Sequence, residues 1–106
     1  MKIRTGISLI AIMASMTMTT AFAQSSGADV YKTKCQSCHG AAGVPSAGMA
    51  KAMGVKPATD PAVKSSTEAK MIAITTNGEG KMPAFKGKLS DAQIKDSVTY
   101  FRTFAK

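Results

Sequence analysis

Two thiols and an imidazole lie within five residues in Cys35-Gln36-Ser37-Cys38-His39, and the chain contains no other cysteine or histidine. Residues three apart on a helix point the same way, with about 5–6 Å between them. Two thiols so placed can each add to one of the two vinyl groups on one edge of a haem. His39 is turned about 100° further round such a helix, which puts its imidazole over the ring, where it can bind the iron. The Cys-x-x-Cys-His spacing therefore points to covalent haem attachment. Three other uses are weaker. A structural zinc site needs four ligands, and no second cysteine or histidine cluster completes the set. A redox dithiol belongs beside a βαβ pattern, and none is legible. A disulfide across a two-residue gap constrains very little chain entropy.

An iron that only carries electrons benefits from a second axial ligand, because an unchanged coordination sphere leaves little to rearrange. Methionine is the partner that raises the reduction potential. Met49, Met53, Met71 and Met82 are the candidates beyond the N-terminal segment. Met71 sits in a helical apolar pattern and reads as core. Met49 and Met53 have helical spacing in the middle of the chain and read as packing beside the porphyrin. Met82 lies in a Gly-rich loop, and Pro83 after it restricts its backbone to extended conformations, which can hold a thioether out toward a metal. On residues alone the choice stays open, with Met82 ahead.

The elements that must position these groups are helical. Residues 28–37 can sustain a helix, with Asp29 near its positive end and Val30 and Tyr31 supplying apolar contacts. It delivers Cys35 and Cys38 on its last turns. From Gly40 to Ser65, glycines and prolines punctuate a long irregular section, in which Ala47–Met53 forms a helical turn or two. Loops this long are uncommon in a compact domain unless something non-protein organises them. Ser65 with Glu68 reads as a capping box opening a helix that stops at Asn77-Gly78. A second loop, residues 78–88, carries Met82. Ser90 and Gln93 read as another capping box, and the last helix places Ile94, Val98, Phe101 and Ala105 on one face. No strand, repeat or second domain is evident, so the fold class is all-α.

The N-terminus reads as a leader. Lys2 and Arg4 precede an apolar stretch from Gly6 to Ala14, and Ala21-Phe22-Ala23 presents small residues to a signal peptidase. The strongly apolar part is nearer ten residues than the roughly twenty that span a bilayer. Residues 1–23 are therefore expected to be a signal peptide, cleaved after Ala23. The 83 residues from Gln24 to Lys106 are then one small domain, of a size that usually needs a staple, metal or cofactor. The chain carries 14 Lys+Arg against 6 Asp+Glu, a net +8 that falls to +6 without Lys2 and Arg4. That charge favours acidic partners or anionic membranes. Nucleic acid does not suit an exported protein.

From Gly27 to Ala105 the chain resembles a small bacterial class I c-type cytochrome. The matching stretches come in order: Gly27-Ala28-Asp29-Val30-Tyr31, then Cys35 to Gly40, then Asn77-Gly78, Lys81-Met82-Pro83-Ala84-Phe85, Leu89 to Ile94, and Val98 to Arg102. The resemblance implies a small cytochrome c fold, three or more helices wrapped around one haem c. Cys35 and Cys38 would form the thioethers, and His39 and Met82 the axial iron ligands. It further implies that Gly27 and Tyr31 sit where the first helix crosses the last, near Tyr100. Family members often hydrogen-bond the proximal imidazole to a proline carbonyl, and Pro45 is the nearest candidate.

The function expected is one-electron transfer between extracytoplasmic partners in the periplasm, by a monomer that turns over no substrate. Lys34, Lys81, Lys86 and Lys88 would steer the haem edge toward acidic or membrane-bound redox proteins. Two other readings remain: a fixed haem subunit of a larger respiratory or dehydrogenase complex, and a haem enzyme or sensor with an open iron position. The haem would centre the core, contacted by Val30, Tyr31, Ile72, Phe85, Val98 and Phe101.

Overall fold

The computed structural model describes residues 26–106, so the expected signal peptide lies outside the described residues. Within them the regular structure is helical, apart from isolated bridges pairing Glu79 with Met82 and Lys86 with Leu89. Among the described residues, no helix is long and apolar enough to cross a membrane.

The first rod is a relay of three segments: α1 (Gly27–Val30), a π turn (Tyr31–Cys35) and α2 (Gln36–His39). Ser26 caps its start by accepting the Asp29 N–H at 3.2 Å, which satisfies one of the orphan donors there. No residue pattern marks the π turn. Its clearest mark is the Gln36 N–H, which reaches back to the Tyr31 carbonyl. Thr33 lies inside it and donates its hydroxyl to the carbonyls of Asp29 (2.9 Å) and Val30 (3.3 Å). Such back-bonding competes with the regular ladder, and single π turns inside helices concentrate at functional sites. The rod stops at Gly40, whose φ of +83° suits glycine.

The section from Gly40 to Ser65 is more ordered than its composition suggests. It contains α3 (Ala47–Met53), capped by the Ser46 hydroxyl, and the single turn α4 (Pro61–Lys64), capped by Asp60 with proline in its first turn. Next comes α5 (Glu68–Asn77). Its cap is Thr67, which accepts the Lys70 N–H at 3.1 Å, so the Ser65–Glu68 box is not formed. Ser65 instead closes α4. The chain takes its extended step at Thr67 (ψ 155°), leaving Ser65 in the helical region.

The final helix, α6 (Asp91–Arg102), begins with the expected capping box of Ser90 and Gln93 and runs into a short 3₁₀ turn, Thr103–Ala105. It crosses α1 so closely that a β-carbon on Gly27 would collide with the Asp96 backbone. Val30, Tyr31, Ile94 and Val98 are buried at 2, 2, 1 and 5% exposure. Tyr31 packs among Tyr100, Phe101 and Phe104, with ring centroids 5.4, 6.1 and 5.6 Å away. α5 is tied to α6 by Thr99, which donates to Glu68 at 2.9 Å, and the segment leading into α5 is tied by Arg102, which donates to the Ser66 carbonyl at 2.9 Å.

Candidate functional site

A cavity of about 640 Å³ opens between these elements, within the range of sites that hold a small molecule or cofactor. Cys35, Cys38 and His39 border it from the first rod, and Met82 borders it from the loop after α5. Residues separated by more than forty positions in the chain thus share one space.

The rod presents its three groups on two successive turns. Both cysteines are free and half-buried. Burial, and then the neighbouring Cys38, push the Cys35 thiol up to about 11, so it is protonated at neutral pH. His39 rests its ring edge against Phe101, with centroids 5.3 Å apart. Burial lowers its pKa, which favours the neutral imidazole that metals take. Its Nδ1 is enclosed without a hydrogen-bond partner. The Pro45 carbonyl therefore does not accept from it.

The turn holding His39 is itself anchored. The Tyr31 hydroxyl donates 2.6 Å to the Gly40 carbonyl, and the Gly43 N–H donates to the same oxygen at 3.2 Å. Burial raises the Tyr31 hydroxyl to about 12, with Cys35 the next cause. Sequence reasoning placed Tyr31 in the core and missed this bond, since nothing local marks a contact nine residues away.

Met82 sits in a tight turn closed by paired backbone bonds with Glu79, 2.9 and 3.2 Å long. Beyond Pro83 the loop is fastened to α5, where Phe85 and Lys86 donate to the carbonyls of Thr75 (3.0 Å) and Thr76 (3.1 Å). Those carbonyls belong to the last turn of α5, which has no helical donors of its own. Met53 and Met71 also border the cavity, whereas Met49 does not. The Met71 sulfur already takes a 4.0 Å contact from Arg102.

The apolar lining includes Tyr31, Phe85, Val98 and Phe101, as expected, together with Ile74. Val30 and Ile72 do not reach it; Val30 is spent on the α1–α6 crossing. The charged residues at the cavity are Lys34, Lys56, Lys70, Lys81 and Glu79. Lys34 and Lys81 were expected there. Lys86 and Lys88 stand elsewhere on the exposed surface, because the loop turns away toward α5 after Pro83.

The donor set fits an iron porphyrin better than a bare ion. Among the described residues no three His, Cys, Asp or Glu side chains converge on a common metal position, which disfavours zinc. A flat macrocycle instead suits a pair of thiols and an imidazole beside aromatic side chains, and Cys35, Cys38, His39, Tyr31, Phe85 and Phe101 all border the cavity.

Comparison with known proteins gives the same picture. The model of the family "Cytochrome C oxidase, cbb3-type, subunit III" matches residues 22–101. The chain is 42% identical over 74 residues to cytochrome c6 of Leptolyngbya boryana, covering 70% of this chain and 84% of that protein. It is 39% identical over 74 residues to cytochrome c6 of a Nostoc species, where it spans 64% of the relative's length. The solved KustC0563 c-type cytochrome superposes with a TM-score of 0.69 at 26% identity, covering 77% of this chain and all of that one.

Proposed function

Because the chain belongs to the cytochrome c family, as a small class I member, we propose that Cys35 and Cys38 carry its one haem c and that His39 and Met82 ligate the iron. The protein is a one-electron carrier and not an enzyme. The observation that supports the ligand set is that these four side chains border one cavity.

Cys35 and Cys38 would hold the haem through thioether bonds, each S–H adding across one vinyl group with sulfur on one carbon and hydrogen on the other, so the attachment would consume no oxidant or reductant. The bound haem supplies an iron that changes by one electron. The protein's own part is to hold its surroundings constant through that change. Tyr31 and Gly43 pin the carbonyl beside His39, while Phe85 and Lys86 fasten the arm that bears Met82. Val98, Phe101 and Ile74 keep water away, which limits solvent reorganisation. With His39 and Met82 both holding the iron, no position would be left open, and oxygen chemistry and peroxidation would be slow.

Electron exchange takes place outside the cytoplasm, after removal of residues 1–23, with redox proteins that present acidic patches. Support comes from the leader pattern and from the four lysines bordering the cavity against one glutamate. A reductive titration of the purified holoprotein tests the carrier reading. It should follow a single one-electron curve, and the reduced form should not bind carbon monoxide rapidly. Rapid binding would favour the enzyme or sensor reading.

A second reading has one observation of its own, since the matching family model describes an oxidase subunit. In that case the domain works as a fixed part of a respiratory complex. The free carrier is preferred because the cytochrome c6 of Leptolyngbya boryana is matched over 84% of its length. Gentle fractionation separates them: a shuttle is recovered in the soluble extract, a subunit with a membrane complex.

A further inference from the structure

The Met82 turn is tethered at its tip by the residue just before the thioether. The Lys81 ammonium donates a 2.7 Å hydrogen bond to the Ala52 carbonyl, 29 residues earlier in the chain. Ala52 lies in the last turn of α3, where carbonyls lack helical partners and a cation complements the helix dipole. Among the described residues this is the one hydrogen bond joining the 79–82 turn to anything outside that turn. Its other bonds pair Glu79 with Met82 and so fix the shape of the turn without fixing its place. The next anchors, at Phe85 and Lys86, come only beyond Pro83. Met53, Gly54 and Lys81 all border the cavity, so the tether crosses its rim.

We propose that Lys81 is a positioning residue for Met82, holding the thioether arm against α3 so that the sixth iron position stays closed. This rests on Met82 being the axial ligand. A thioether binds iron weakly, so its occupancy depends on how firmly the protein presents it. The Glu79–Met82 turn is a small rigid hook, and a hook fastened at one end swings. Lys81 fastens the other end. Both partners are exposed, so water competes for the bond, and losing it should loosen the arm without releasing it.

The test uses ferric holoprotein as wild type and as K81Q, K81R, K88Q and M82A. Imidazole is the external ligand, and the methionine–iron charge-transfer absorption is the second readout. K81Q should bind imidazole about three- to ten-fold faster, the size expected of an exposed charge-assisted hydrogen bond, with a weakened charge-transfer band. K81R can donate to the same carbonyl and should restore both. K88Q removes an equal charge from the same loop and should match wild type. K81Q indistinguishable from K88Q overturns the tether, provided that M82A opens the iron. A wild type with no methionine–iron band, or an M82A protein that binds imidazole no faster, overturns the Met82 reading and this inference together.

Discussion

The hydroxyl of Tyr31, at the start of the π turn, reaches across the end of the first rod to the carbonyl of Gly40, 2.6 Å away. One side chain thereby joins the α1–α6 core to the residue following His39. Tyr31→Phe keeps the ring and removes only the bond, which should cost about 1 kcal/mol in denaturant unfolding of the holoprotein. Tyr31→Ala also empties the aromatic cluster and should cost about 3–5 kcal/mol. The same hydroxyl predicts an alkaline effect. Its folded pKa, raised to about 12 chiefly by burial and next by Cys35, exceeds the unfolded value of about 10. The stabilisation is therefore complete below pH 10 and is lost as pH rises from 10 toward 12. Once Cys35 is bonded to carbon it carries no charge, so burial is the cause that remains. Y31F should lose less stability across that window than wild type, and parallel stability curves would contradict this.

Met82→Ala should abolish the methionine–iron band, lower the reduction potential and admit carbon monoxide to the reduced iron. Met53→Leu and Met71→Leu should leave all three properties near wild type. Met71 gives its sulfur to Arg102, and Met53 lies at the end of α3. Spectroelectrochemistry decides among the three methionines.

Gly27→Ala should destabilise the holoprotein through the helix crossing, well away from the cavity. The added methyl falls on the Asp96 backbone, which cannot yield like a flexible side chain. Overpacking of this kind costs about 1–3 kcal/mol. The denaturation midpoint should drop while the spectrum of the folded protein stays unchanged.

Electron transfer to an acidic partner should slow as salt rises, because Lys34, Lys56, Lys70 and Lys81 border the cavity through which the cofactor is reached. Exposed charges are screened over about 8 Å at physiological ionic strength, and steering acts mainly on the association rate. Stopped-flow rates from low to physiological salt measure this directly. A flat profile would remove the lysines from docking.

Much of this organisation could be read from local chemistry. The Ser90–Gln93 box formed because its two bonds are local to one turn and nothing distant competes for them. Cys35, Cys38 and His39 could be grouped because helix periodicity alone sets their spacing. The start of α5 is not settled by sequence, because Ser65 and Thr67 both lie within reach of its first turn and the fold of α4 decides between them. The π turn has no composition signature. Hydrophobicity points Val30 and Ile72 toward the cavity, but which core face a residue joins depends on the helix crossing. Contacts such as Tyr31 with Gly40 and Lys81 with Ala52, nine and 29 residues apart, have no sequence period.

The central claim is a haem bonded covalently to Cys35 and Cys38. Intact-mass and absorbance measurement of protein from a host able to mature c-type cytochromes tests it most directly. Wild type should carry the added mass of one haem through denaturation, with the sharp bands of a six-coordinate haem on reduction, and the Cys35→Ala/Cys38→Ala variant should not retain that mass. A colourless wild-type protein at the mass of its polypeptide alone would contradict the account.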